Sequence, residues 1–426
     1  MPVPMTMDSV IVFGDSLSDI GRKWKTKAGK MAIGTGQMYV SSSGRFSDCR
    51  NWTDFMIEEA TGLTLVGSSP AGTVALSKMH LSLNDESMFE IEKKFQYANY
   101  AEGGACGDTP ASLAAFLGTF KAQVDLFESD VRDSGLKLGN TLFFVWFGAN
   151  DLYTAGRKPE EMHLVADAVA DKQRKRLAKI VEGNGGQSRF IFVNLARALT
   201  SVRYTKQLED AESALIDALN KDRWISQGKI VREVPAERKS RMWYAQQALD
   251  YAAAEKVTEG RFGSKARAVR DLKQKLDAIK RFEVGVVNYN ASLWKKALSN
   301  DDTVAPVGNV LSEETISRLF EGNYGLMAGA MTTRAEHVSS AGYSTSAKRP
   351  ITTIDEVHPT DQMYKIIWGE IYDAIKRSQS TFGNLADFGP ESVLAALFKD
   401  KVRDDFRSVL QDIRDGVGRS ARLRGD

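Results

Sequence analysis

Three short runs, "SVIVF" (9–13), "TLFFVWF" (141–147) and "RFIFVNL" (189–195), are apolar at almost every position and rich in β-branched and aromatic residues. A strand with one face in water alternates apolar and polar side chains. These runs do not alternate, so both of their faces must be covered. Helical patterns lie between them, such as "NWTDFMIEEAT" near 51 and "AVADKQRKRLAKIVE" near 168. Strands buried on both faces and separated by helices predict a parallel sheet between two helical layers. Ligands of such sheets bind at the carboxyl ends of the strands. The first run continues into Gly14-Asp15-Ser16, which places a serine hydroxyl at that edge.

The rhythm breaks after about residue 200. From 203 to 281 the chain is charged, alanine-rich and helical in pattern. Apolar residues recur three and four apart in "AESALIDALNKDRW" and "SRMWYAQQALDYAAAEK". This stretch reads as a helical insertion. Its last part (264–281) sets Lys265, Arg267, Arg270, Lys273, Lys275, Lys280 and Arg281 against Asp271 and Asp277. Such a face reads first as solvated; peripheral contact with an anionic membrane or an acidic partner is the alternative. "VGVVNYNASLWKKAL" and a strand candidate near 303–310 resume the core. In 391–417, Leu394, Leu397, Phe398, Val402, Phe406, Val409, Leu410 and Ile413 trace one helical stripe. The expected division is a core of 1–202 and 282–378, an insertion at 203–281 and a C-terminal helical extension at 379–426.

Other function classes find little support. A formal net charge of +2 over 426 residues gives no strong pull toward nucleic acid. No apolar run approaches the roughly 18 residues of a membrane span. "MPVPMTMDS" lacks signal-peptide features, so the expected chain is cytoplasmic, exported by another route, or already mature. Cys49 and Cys106 are expected to be free thiols. "GTGQ" (34–37) lacks the third glycine and the acidic residue of a dinucleotide loop. His80, His163 and His337 lie in polar surroundings without ligand spacing and are expected at the surface or in loops. Neither metal nor cofactor is expected.

Four stretches carry chemistry. They are "FGDSLSD" (13–19), "NYAEGGACG" (99–107), "FVWFGANDLY" (144–153) and "IDEVHPT" (354–360). A serine is a poor nucleophile until a base takes its proton, and His358 titrates in the useful range. Asp355, three residues earlier, can hold the imidazole tautomer. Glycine at 104 lets backbone approach a substrate without a Cβ, and Asn150 offers a side-chain N–H. Each feature alone has a plainer reading: Asp15 and Ser16 as helix caps, Gly103 and Gly104 as a turn, Asn150 with Asp151 as a cap, His358 as a loop residue.

Together, in this order, the four stretches resemble the blocks of the GDSL, or SGNH, hydrolase family. The resemblance covers 9–200 and about 282–377. It implies a three-layer α/β/α, flavodoxin-like fold. It also implies Ser16 as nucleophile, His358 as base and Asp355 as its partner, with an oxyanion hole of Ser16, Gly104 and Asn150. The blocks are more similar to bacterial phospholipases and glycerophospholipid–cholesterol acyltransferases than to thioesterases or carbohydrate acetylesterases. The sequence departs from that pattern at Ile20-Gly21-Arg22, where Thr-Gly-Asn is commoner, and at Asp48-Cys49, where Asn-Gly is frequent. The expected activity is cleavage of acyl esters, with lipid as substrate. A carbohydrate acetylesterase, or a binding or effector protein on the same fold, is the alternative.

Overall fold

The computed structural model describes residues 8–36, 38–61, 89–91, 95–108, 117–134, 137–195, 202–219, 241–257, 259, 263–298, 304–307, 355, 357–361, 363–365, 367–369 and 371–372. The chain divides into two compact units. One is Met1–Ala196 with Gly285–Asp426, the other Arg197–Val284.

The first unit is built on a six-stranded sheet. Its strands are β1 (Ser9–Gly14), β2 (Phe89–Ile91), β3 (Phe95–Asn99), β4 (Thr141–Trp146), β5 (Ser188–Val193) and β6 (Val304–Val307). Their order is β2-β3-β1-β4-β5-β6. From β3 to β6 every pairing is parallel, and β2 adds to β3 antiparallel. The three apolar runs are thus β1, β4 and β5, and the candidate near 303–310 supplies β6. The antiparallel β2 edge was not expected. Every residue of β1 and β4 is buried.

Alternation along the strands sends the two sets of side chains into opposite layers. On one face Phe13 packs on Phe120 and Phe127 of α4 (Phe120–Ser134), with ring centroids 5.4 and 5.8 Å apart. On the other, Phe144 and Trp146 meet Trp52 of α3 (Trp52–Thr61), and Trp52 stacks on Trp368. Trp368 belongs to helical positions between 361 and 372. The architecture is therefore α/β/α. Two short helices, α1 (Arg22–Lys25) and α2 (Lys27–Gly34), follow β1, and α5 (Ala149–Tyr153) follows β4. A helical run from 162 to 183 leads into β5. It comprises α6 (Met162–Asp167), a π-helical stretch (Ala168–Gln173) and α7 (Arg174–Gly183).

In the second unit α8 (Val202–Ala218) packs on α9 (Arg241–Ala254). The chain then enters α10 (Ser264–Leu298), a 35-residue helix. Its buried residues Val269, Leu272, Leu276, Ile279 and Phe282 recur at three and four. The same spacing continues through Val286, Tyr289 and Leu293. The division of the chain falls inside this helix, between Val284 and Gly285, and not in a linker. The apolar stripe expected at 391–417 lies outside the described residues, as do His80 and His337. Cys49 and Cys106 are free thiols, and His163 is exposed.

Candidate active site

The site starts where β1 stops. A Cβ on Gly14 would lie 3.0 Å from Ser18 Oγ and 3.2 Å from the Trp146 carbonyl, so a side chain here would be tight and its neighbours would have to shift. Gln123 of α4 holds this glycine from both sides: its Oε1 accepts from Gly14 N, and its Nε2 donates to Gly14 O. The turn that follows is tied by Asp15, whose Oδ1 accepts from Leu17 N at 3.0 Å and whose carbonyl accepts from Ser18 N at 3.1 Å. Ser16 stands half-buried at the top of this turn.

His358 reaches Ser16 from a segment 342 residues away in sequence, with Nε2 2.8 Å from Ser16 Oγ. Its Nδ1 lies 2.7 Å from Asp355 Oδ2. An ionised carboxylate only accepts, so Nδ1 carries the hydrogen and Nε2 turns its lone pair toward the serine. Asp355 also accepts from the backbone N–H groups of Val357 and His358. Burial pushes the Asp355 carboxyl up, but the neighbouring His358 charge and these hydrogen bonds outweigh it and bring it down to about 2. Asp355 is therefore charged at neutral pH.

Gly104 sits in the loop after β3 at φ +81°, a conformation that favours glycine. Among the described residues neither its N–H nor that of Ser16 has a hydrogen-bond acceptor. Asn150, at the start of α5, donates from Nδ2 to Asp15 Oδ2 at 3.3 Å and to the Ala105 carbonyl at 3.2 Å. Both contacts are long, as is common for catalytic donors before substrate arrives. All five residues expected in the site, Ser16, Gly104, Asn150, Asp355 and His358, thus border the carboxyl ends of β1, β3 and β4.

A profile of the GDSL-like lipase/acylhydrolase family matches residues 10–371. The chain belongs to this family. It is also similar to a phosphatidylcholine-sterol acyltransferase of Aeromonas hydrophila, with 26% identity over 168 residues. That match covers 38% of this chain and 38% of the relative's length.

Around this GDSL-family site lie supporting residues whose contacts no local motif encodes. Asp19 is buried and accepts four backbone N–H groups: Gly21 and Arg22 on Oδ1, Lys23 and Gly103 on Oδ2. It ties the Ser16 turn to the Gly104 loop. Asp151 holds the far end of that loop through Gly107 N and Asp108 N. Burial raises the Asp15 carboxyl to about 7 and that of Asp151 to about 6, against the pull of their backbone hydrogen bonds. Phe46 lies with its ring centroid 4.9 Å from that of His358, and a Cβ on Gly103 would run into the Phe46 ring. Arg50 grips Asp361, three residues after His358, through Nε at 2.9 Å and Nη2 at 3.0 Å. Asp48, one of the departures from the common pattern, accepts from Asp361 N.

Proposed function

We propose that the chain is a serine esterase that cleaves lipid acyl esters through an acyl-serine intermediate. The observation that carries this reading is the continuous relay from Asp355 Oδ2 to His358 to Ser16 Oγ, with steps of 2.7 and 2.8 Å. Ser16 Oγ attacks the ester carbonyl carbon while His358 Nε2 takes its proton. The carbonyl oxygen becomes an oxyanion, for which the N–H groups of Ser16 and Gly104 are open. Asn150 Nδ2 joins them by exchanging one of its long contacts for the oxyanion, so its bond is strongest in the transition state. Collapse breaks the ester C–O bond, and the alcohol leaves with the proton from His358. Water, or the hydroxyl of a second alcohol, then attacks the acyl-serine with His358 again as base.

Lipid as the acyl donor rests on the similarity to the Aeromonas acyltransferase and on the family's lipases. In this reading 1–202 and 282–378 form the hydrolase core, and 203–281 and 379–426 are additions the triad does not need. Incubation with mixed phospholipids, with and without sterol, tests the substrate. Free fatty acid alone marks a hydrolase; sterol ester marks a transferase. A lack of both, with turnover of acetylated sugars instead, contradicts the lipid reading.

A further inference from the structure

Between Asp19 and Asp48 the chain contains no acidic residue but carries Arg22, Lys23, Lys25, Lys27, Lys30 and Arg45. Arg22 and Lys23 pair with Glu102, and Arg45 pairs with Asp54. Lys25, Lys27 and Lys30 are exposed, and among the described residues Lys27 and Lys30 meet no carboxylate. On α2 the exposed positions 27, 30, 31 and 34 recur at the spacing of a single helix face, and Gly29 is buried on the opposite side. That outward face also holds Met31, which is 64% exposed. Trp24 of α1, 38% exposed, lies with its ring against Gly44.

What sets this face apart is the combination of two lysines that meet no carboxylate among the described residues with two apolar side chains, Trp24 and Met31, left in contact with water. An anionic lipid surface suits both kinds of group. Lysines near it gain from its negative potential, and tryptophan favours the headgroup level, where its ring is apolar and its N–H finds a partner. Lys23 turns inward beside Gly103, 3.2 Å from where a Cβ there would stand, and the buried side of α2 packs on the Lys23 carbonyl at Gly29, so the exposed face of α2 points away from this support. The basic part of α10 is the weaker surface, because Lys273 lies 2.5 Å from Glu259 and Lys275 lies 3.0 Å from Asp271.

We propose that the outward face of α2, together with Trp24 and Lys25, docks the protein onto anionic lipid membranes. The proposal is independent of the Ser16 chemistry, because it is read by binding alone. Co-sedimentation of the full chain with vesicles of phosphatidylcholine, with and without phosphatidylglycerol, measures it. Wild type is expected on the anionic vesicles and not on the neutral ones, with binding that weakens as salt rises. Lys25→Glu/Lys27→Glu/Lys30→Glu should bind more than about a hundredfold more weakly, since loss of each positive charge alone is worth roughly fivefold. Trp24→Ala/Met31→Ser should lose several-fold on the same vesicles. Arg267→Glu/Arg270→Glu/Lys273→Glu should lose less than the α2 triple. If charge reversal unfolds the chain, the single variants Lys27→Gln and Lys30→Gln, at about fivefold each, carry the same comparison. Wild type that ignores anionic vesicles, an α2 charge variant or a Trp24/Met31 variant that binds as wild type does, or a larger loss from the α10 variant overturns the proposal.

Discussion

At the scale of single residues the chemistry depends on charges held where water would not leave them. Asp15 and Asp151 are buried beside the site, with carboxyls raised to about 7 and about 6. An aspartate whose folded value lies above its unfolded 3.8 binds more protons folded than unfolded between the two. Unfolding free energy therefore falls as pH rises from about 4 to 7. Asp355, at about 2, acts in the opposite sense: its contribution is present above 3.8 and is lost as pH falls toward 2. Asp15→Asn should flatten the fall between pH 4 and 7 by up to about 1.4 kcal/mol per pH unit. Urea unfolding across that range reads this directly, and parallel curves for the two proteins would contradict it. Asn150→Ala should lower kcat about a hundredfold and leave KM nearly unchanged, because its donor counts only once the oxyanion forms. A change confined to KM would remove Asn150 from the hole. Asp355→Asn should be milder than His358→Ala, since an amide can still hold the ring. The five candidate residues stand out in the sequence because each sits in a short motif whose neighbours mark it, and the fold brings them to one edge of the sheet. Asp15 and Asp19 belong to the same motif, but their work lies in contacts with Asn150 and Gly103 that no local pattern encodes.

At the scale of elements, strands and helices set the positions, and polar clamps between loops fix them. The apolar runs foretold β1, β4 and β5 because a strand covered on both faces has no room for polar residues. The β2 edge had no such signal in its three residues, and only pairing with β3 defines it. The clamp from Arg50 to Asp361 joins residues 311 apart in sequence and was invisible for that reason. Asp19 joins the Ser16 turn, α1 and the Gly104 loop through four backbone donors. Asp19→Asn leaves only one oxygen for donors now shared by two. It should lower kcat at least tenfold and reduce stability by about 1–3 kcal/mol, the cost of a buried group left unpaired. Thermal unfolding with steady-state kinetics on a soluble ester checks both. A variant with wild-type kcat would show that the Gly104 loop holds its place without this tie.

At the scale of the whole molecule, a parallel sheet brings the ends of β1, β3 and β4 to one rim, and a distant segment delivers the histidine. The order of chemical blocks along the chain was enough to name the family, whose profile matches residues 10–371. Periodicity alone could not place His358 opposite Ser16. The sequence reading ended the insertion at 281, close to the division between Val284 and Gly285, but the single helix that runs through it carries one unbroken apolar stripe and marks no boundary. No helix among the described residues is long and apolar enough to cross a membrane. Activation of Ser16 by His358 makes the serine a nucleophile, and covalent labelling reads that reactivity. A fluorophosphonate probe, followed by peptide mapping, should modify wild type at Ser16. Ser16→Ala should take no label, and His358→Ala should label at least a hundredfold more slowly. Label on another residue, or equal labelling of the Ser16→Ala protein, would contradict the account.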